Sequence, residues 1–334
     1  MDQAVSILYE KIVQGDRVAL GKAMTIVESD RPEDREKAID LLVLCEKGFE
    51  GIERAIRFAI SGAPGVGKST LIEAIGLKAT TLGHKVGVLT IDPSSAISFG
   101  SILGDKSRMS ELSTSANAFI RSSAAGSVLG GMGRRSFELM TLLEAAGYDL
   151  IFVETVGVGQ SEHMAWQLTD GFILVLQPGG GDELQGIKRG INEMADIVVV
   201  NKADGNLAEL ALVAKGQYQN ALHYFSSLRE GWSSKIVTCS ALKGTGIDEV
   251  WELIRLYQSI RLKSDQLEKE RRNQKLSWLT WSLGITANQL LMNHPLVKEK
   301  LENLEAGFNE NGISLFQTEY TIENTMKDIL KSAH

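Results

Sequence analysis

Gly62-Ala63-Pro64-Gly65-Val66-Gly67-Lys68-Ser69 is the stretch on which the reading of this chain turns. It has the form G-x-x-x-x-G-K-[ST], with the apolar run 55–61 before it and a helical pattern after it, the strand, glycine loop and helix that together cradle phosphates. Glycines let the backbone curl so that successive N–H groups point at a β-phosphate, and the following helix offers the positive end of its dipole to the same anion. In such a loop Lys68 bridges β- and γ-phosphate oxygens and the Ser69 hydroxyl ligates Mg²⁺. Ala63 stands where ATPases of the partitioning type carry an extra lysine, which disfavours that subclass.

Working outward, short β-branched runs alternate with helical stretches. Strands are expected at 55–61, 85–92, 149–154, 172–176, 197–201 and 235–240, and helices at 69–82, 134–146, 183–194, 207–228 and 247–260. Connections of that length suit right-handed crossovers, so the expected fold is α/β, a doubly wound and mostly parallel sheet over 51–261. Residues 1–50 carry helical spacing, through Ile7, Leu8, Ile12 and Val13 and then Ala38, Leu41, Leu42 and Leu44, and form an N-terminal helical extension. Beyond Arg261 the chain becomes strongly charged and then amphipathic, with Trp278, Trp281, Leu283, Leu290 and Leu291. Residues 262–334 are therefore expected to form a helical arm, whose apolar side is buried against the chain's own N-terminal helices or against a second copy.

Asn201-Lys202-Ala203-Asp204 follows the apolar strand and matches N-K-x-D. An aspartate carboxylate accepts hydrogen bonds from N1–H and the exocyclic amine of guanine, whereas adenine offers neither at that edge. Asp204 thus selects guanine by the cost of an unsatisfied charge against the wrong base. Asn201 is expected to tie the base loop to the phosphate loop, and Lys202 to lay its stem along the base. Ser240-Ala241-Leu242, after the next strand, resembles the S-A-[KL] loop whose backbone N–H contacts guanine O6, although a helix cap also accounts for a serine there.

Carboxylates at strand tips come next. Glu154-Thr155-Val156-Gly157 occupies the place of D-x-x-G, where an acid holds Mg²⁺ through a water and the glycine N–H senses the γ-phosphate. Asp92, before Pro93, is either a metal-linked acid or a turn former, and Asp105, in a polar stretch with Arg108, is a second candidate Mg²⁺ contact. Gln160 and His163 fall in what reads as a loop after Gly157, where either could orient the attacking water or meet a partner. The glycine-rich run 177–188 reads as a flexible loop that can reorder on binding.

The bulk numbers exclude several classes. A net charge of −7, from 35 basic and 42 acidic residues, gives no clustered cationic surface for nucleic acid. No apolar run reaches membrane-spanning length, and Met1-Asp2-Gln3 lacks the basic start of a signal peptide, so a cytoplasmic protein is expected. Cys45 and Cys239 lie far apart beside apolar residues and read as buried thiols.

These residues together resemble the MeaB/ArgK family of GTPases, which includes the methylmalonic aciduria type A protein. The resemblance is carried by 61–70, ending in Thr70, by Ile91-Asp92-Pro93-Ser94-Ser95, by the run from Glu154 to Glu162, by 177–188 and by Asn201-Lys202-Ala203-Asp204, and it covers nearly the whole chain. It implies a chaperone that binds GTP and GDP with Mg²⁺, gates cofactor loading and protects an adenosylcobalamin-dependent methylmalonyl-CoA mutase. It also implies a homodimer through the C-terminal arm and a third switch at 177–188 that senses the partner. The cobalamin would belong to the partner, since this chain has no D-x-H-x-x-G motif. Related readings are a GTPase serving another cobalamin-dependent acyl-CoA mutase and a nickel-insertion metallochaperone. The latter needs clustered Cys or His, yet the five histidines at 84, 163, 223, 294 and 334 are scattered. A protein kinase is disfavoured by guanine selection. With no arginine finger or fixed glutamine directly after Gly157, hydrolysis is expected to be slow alone and faster with a partner.

Overall fold

Alternation along the first strand explains how the molecule is layered. The computed structural model describes residues 2–49, 55–92, 108–124, 135–155, 161–179, 189–222, 228–263, 265–308 and 315–332. Strand β1 (Ile56–Ser61) is buried throughout, and successive side chains take opposite faces. Ile56, Phe58 and Ile60 pack with Leu71, Ile72 and Ile75 of α4 (Lys68–Thr81) and with Trp251, Ile254 and Tyr257 of α10 (Ile247–Leu262). Arg57 points the other way, toward Glu144 of α6 (Ser136–Ala145).

Seven strands form one parallel sheet in the order β3-β2-β4-β1-β5-β6-β7, with β2 (Val86–Asp92), β3 (Ala118–Ala124), β4 (Leu150–Glu154), β5 (Gly171–Leu176), β6 (Ile197–Val200) and β7 (Lys235–Thr238). The chain runs outward through β2 and β3, returns to β4 beside β1, and crosses to β5 on the other flank. The carboxyl end of β1 therefore lies at the reversal, where open α/β sheets bind ligands. Six strands were expected and the seventh, β3, is an addition. Its Arg121, Ser122 and Ser123 interrupt the apolar alternation, and as an edge strand it buries only part of its length.

Helices α1 (Gln3–Val13), α2 (Arg17–Glu28) and α3 (Pro32–Lys47) precede the sheet, and Asp2 and Asp16 cap α1 and α2 by accepting backbone N–H bonds. All three pack on α6. That cover explains why Ser136 through Glu144 are buried almost without break although Glu138, Thr141 and Glu144 are polar. The short α5 (Ser110–Thr114) has its first N–H groups held by Glu73, since Glu111 and Leu112 both donate to its Oε1.

One stretch differs from the expected elements. The stretch around His163 is not loop but helix α7 (Ser161–Leu168). Helices α8 (Arg189–Met194) and α9 (Ala208–Leu222) are the parts of the expected 183–194 and 207–228 that lie among the described residues. Both cysteines are buried and unpaired, and burial pushes each thiol up to about 12, which leaves them unreactive.

The chain divides into two units, Met1–Lys275 and Leu276–His334, and the boundary falls inside α11 (Asp265–Met292). In the second unit α12 (Pro295–Phe308) packs with α13 (Leu315–Ser332), and Leu276, Leu279, Leu283, Leu290, Phe316, Tyr320 and Leu330 are exposed.

Candidate functional site

The phosphate loop leaves β1 and enters α4 through Gly67, whose φ of +95° is a conformation that side chains rarely adopt. A Cβ there would stand 2.5 Å from Nδ2 of Asn201, and one on Gly62 would stand 2.2 Å from the Val175 carbonyl oxygen. Glycine is thus required twice, because other chain segments pass through the space a side chain would fill. Inside the loop Lys68 is buried, and its Nζ donates to the carbonyl oxygens of Gly62 at 2.8 Å and Ala63 at 3.2 Å. Burial pulls the Lys68 ammonium below its ordinary pKa, while the charges of Glu154 and Glu162 pull it back up. An ammonium whose hydrogen-bond partners are neutral carbonyls is free to exchange them for phosphate oxygens.

Ser69 Oγ donates to Glu154 Oε1 at 2.7 Å, so the α4 hydroxyl and the acid at the tip of β4 meet directly. Both are hard oxygen donors of the kind Mg²⁺ takes, and the donor set fits that ion. Asp92 closes β2, but its side chain lies outside the described residues, as do Asp105, Gly157, Gln160 and most of 177–188. Thr70 follows Ser69 on α4 and also lines a groove of about 530 Å³ with Ala241, Leu242 and Ile247.

The base loop is joined to the phosphate loop through one amide. Asn201 Nδ2 donates to the Val66 carbonyl at 2.9 Å, while its Oδ1 accepts from the Ala241 N–H at 3.0 Å and from Cys239 Sγ at 3.6 Å. One buried side chain thereby holds the phosphate loop, the N-K-x-D segment and the Ser240–Leu242 turn in register. Lys202 takes a φ of +58°, the sole positive value outside glycine among the described residues, and its Nζ donates to Gln177 Oε1 at 3.1 Å. Backbone strain of that kind persists where the surroundings impose it and gathers at ligand sites. Asp204, half-buried, precedes a 3-10 turn without capping it, which leaves its carboxylate for another partner. Ser240 pairs with Thr245, and Leu242 is 78% exposed.

Three participants were not assigned a role from the sequence. Glu162 is buried in the first turn of α7, and its charge pulls the Lys68 ammonium up; its position inside the run from Glu154 to Glu162 was the available signal. Gln177 and Cys239 touch Lys202 and Asn201, contacts between segments for which spacing along the chain carries no sign. His163 is exposed on α7.

Comparisons with known proteins place the chain in a family. The family model described as methylmalonyl Co-A mutase-associated GTPase MeaB matches residues 20–295. The chain is 44% identical over 307 residues to the methylmalonic aciduria type A homolog, mitochondrial, of Mus musculus, covering 89% of this chain and 74% of that one. It is 42% identical over 269 residues to the GTPase ArgK of Escherichia coli, covering 80% of each. Among solved structures, the LAO/AO transport system kinase superposes with a TM-score of 0.73 at 31% identity, covering 98% of this chain and 99% of that one.

Proposed function

The chain belongs to the MeaB family of GTPases, and from that premise we propose that it is a nucleotide-switched chaperone of an adenosylcobalamin-dependent methylmalonyl-CoA mutase. It gates cofactor loading and protects the mutase, acting in the cytoplasm as a homodimer through the helices of 262–334. The observation that carries the chemical half is the Asn201 bridge, which makes one rigid unit of the loop for phosphate and the loop for base. The client is supported by the family description and by the name of the mouse relative. The run of exposed apolar side chains on the second unit is surface of the kind a second copy covers.

In this reading Asp204 takes the guanine N1–H and amine, and the Gly62–Gly67 N–H groups take the β-phosphate. Lys68 leaves the Gly62 and Ala63 carbonyls for β- and γ-oxygens. Ser69 and Glu154, with Asp92 and Asp105 as further candidates, would hold Mg²⁺, which when bound neutralises charge on the transferring phosphoryl group. Gln160 is the proposed orienter of the attacking water. Turnover by the isolated chain is expected below about 1 s⁻¹ and to rise with the client present, as a switch requires.

The test is recovery of partners from native cytosol on the full chain loaded with a non-hydrolysable GTP analogue or with GDP. Nucleotide-sensitive recovery of a cobalamin-dependent mutase is expected; hydrogenase or urease components instead would overturn the choice of client. For the base loop, Asp204→Asn should move preference from GTP toward xanthosine triphosphate, because the amide donates to the C2 oxygen. Unchanged GTP affinity in calorimetry would remove Asp204 from the site.

A further inference from the structure

The backbone at Lys202 is unusual because its two neighbours are pinned to different strands. The N–H of Asn201 donates to the Leu176 carbonyl at the tip of β5 at 2.8 Å, and the N–H of Ala203 donates to the Cys239 carbonyl just past β7 at 2.9 Å. Between those two bonds the chain turns within one residue, and the φ of +58° at Lys202 is the result. The side chain then reaches back to the end of β5, where its Nζ donates to Gln177 Oε1 at 3.1 Å.

Gln177 is a well-fixed acceptor. It follows Leu176, the last residue of β5, and precedes Pro178, which is buried. A residue before proline is kept out of helical backbone by the pyrrolidine ring, so Gln177 has few places to carry its amide. The same strand tip closes on the phosphate loop, since a Cβ on Gly62 would meet the Val175 carbonyl oxygen at 2.2 Å. Strand β5 thus ends against both loops, with a carbonyl on the phosphate side and an amide that holds the lysine of the base side. Lysine has a flexible four-carbon stem and gives up much rotamer freedom when it is ordered. Tethering the ammonium at the far end orders that stem before any base arrives, which lowers the cost of binding.

We propose that Gln177 is a positioning residue for the purine base, acting by anchoring the Lys202 ammonium so that the lysine stem is already laid out as one wall of the base site. The inference rests on the GTPase reading above and adds to it a second determinant of base affinity, one that meets the face of the ring where Asp204 meets its edge. Every base has such a face. Gln177 therefore sets how tightly the base is held, and Asp204 sets which base it is.

The experiment is a double-mutant cycle on the full chain with Gln177→Leu, Lys202→Met and both together. It measures GTP and GDP affinity by calorimetry, kcat and KM by phosphate release, and the melting temperature. The two nucleotides carry the same base, so Gln177→Leu should weaken both by the same factor, about three- to tenfold, the worth of one hydrogen bond. The loss should appear in KM and leave kcat in place, as expected when ground state and transition state lose the same contact. Added to Lys202→Met it should cost nothing further, because the contact is then already broken. Unchanged affinities, a cycle in which the two effects add, a loss carried by kcat, or a change confined to GTP would each overturn the proposal. Tighter binding would overturn it as well, since Gln177 would then be competing with the nucleotide for Lys202. Gln177→Met, which keeps the side-chain length, serves if the leucine variant melts early, and early melting of both would make the amide a structural one and overturn the proposal equally. A wild-type chain that binds no GTP takes down both readings, whereas GTP binding that is indifferent to Gln177→Leu removes this one alone.

Discussion

At the carboxyl end of the sheet the buried ammonium of Lys68 rests on the carbonyl oxygens of Gly62 and Ala63, and Ser69 leans on Glu154. At the amino end the buried guanidinium of Arg57 meets Glu144 at 2.7 Å, Arg271 grips Asp170 at 2.6 Å, and Arg229 meets Asp196 at 3.1 Å and Glu270 at 3.0 Å. Both ends bury charge, but the first uses neutral and exchangeable partners where the second uses opposite charges in fixed geometry. On the proposed reading the first end must accept a triphosphate and so has to keep its cation available. The structural end has no such duty, and any group left unpaired there would bear the full desolvation penalty. Where charge is buried says less about its role than what it is buried against.

This contrast can be broken at either end. Asp170→Asn should have the largest effect, about 3–5 kcal/mol of stability in denaturant unfolding, because it takes the bidentate counter-charge from buried Arg271 and leaves it only Glu144, 3.9 Å away. A loss below about 1 kcal/mol would mean that the amino-end cluster is not structural. Lys68→Ala should do the opposite. GTP turnover should fall by about a hundredfold or more, the cost of losing one preorganised charge at a transferring group. The melting temperature should fall far less than in Asp170→Asn, since two carbonyl contacts and the attraction of Glu154 and Glu162 are given up but no buried ion pair is broken.

Acid sharpens the same comparison with a smaller effect. Burial alone would push Asp170 up, but Arg271 and Arg57 hold its carboxyl down from the ordinary 3.8 to about 2. A carboxyl with a depressed folded-state pKa contributes stability that is present above the unfolded value and is lost as pH falls through the folded one. About 2 kcal/mol should therefore disappear between roughly pH 4 and pH 2. Asp170→Asn should flatten that part of the stability profile, and a profile identical to wild type would sink the assignment. The smallest effect is expected at Leu242→Ser, whose side chain is 78% exposed. GTP affinity should stay within about threefold and stability within about 0.5 kcal/mol; a larger loss would show that the side chain, and not the turn backbone, serves the base.

Much of this molecule was legible before any coordinates. Six of the seven strands could be read from apolar or β-branched runs, and the five inner ones most plainly, because a strand buried on both faces must be apolar along its length. The motifs G-x-x-x-x-G-K-[ST] and N-K-x-D could be picked out because each is local, a few residues in fixed order, and the structure joins the two through Asn201. Strand β3 escaped because an edge tolerates Arg121, Ser122 and Ser123, and α7 escaped because a helix of eight residues has little periodicity to show.

What only the tertiary structure decided is which distant groups meet. Asn201 and Val66 are 135 positions apart, and Arg271 and Asp170 are 101 apart. Their pairing follows from the neighbours each strand acquires in the order β3-β2-β4-β1-β5-β6-β7. Spacing along a chain reports local backbone geometry, but a buried charge finds its partner through the packing of the sheet, and that packing is a property of all the strands at once.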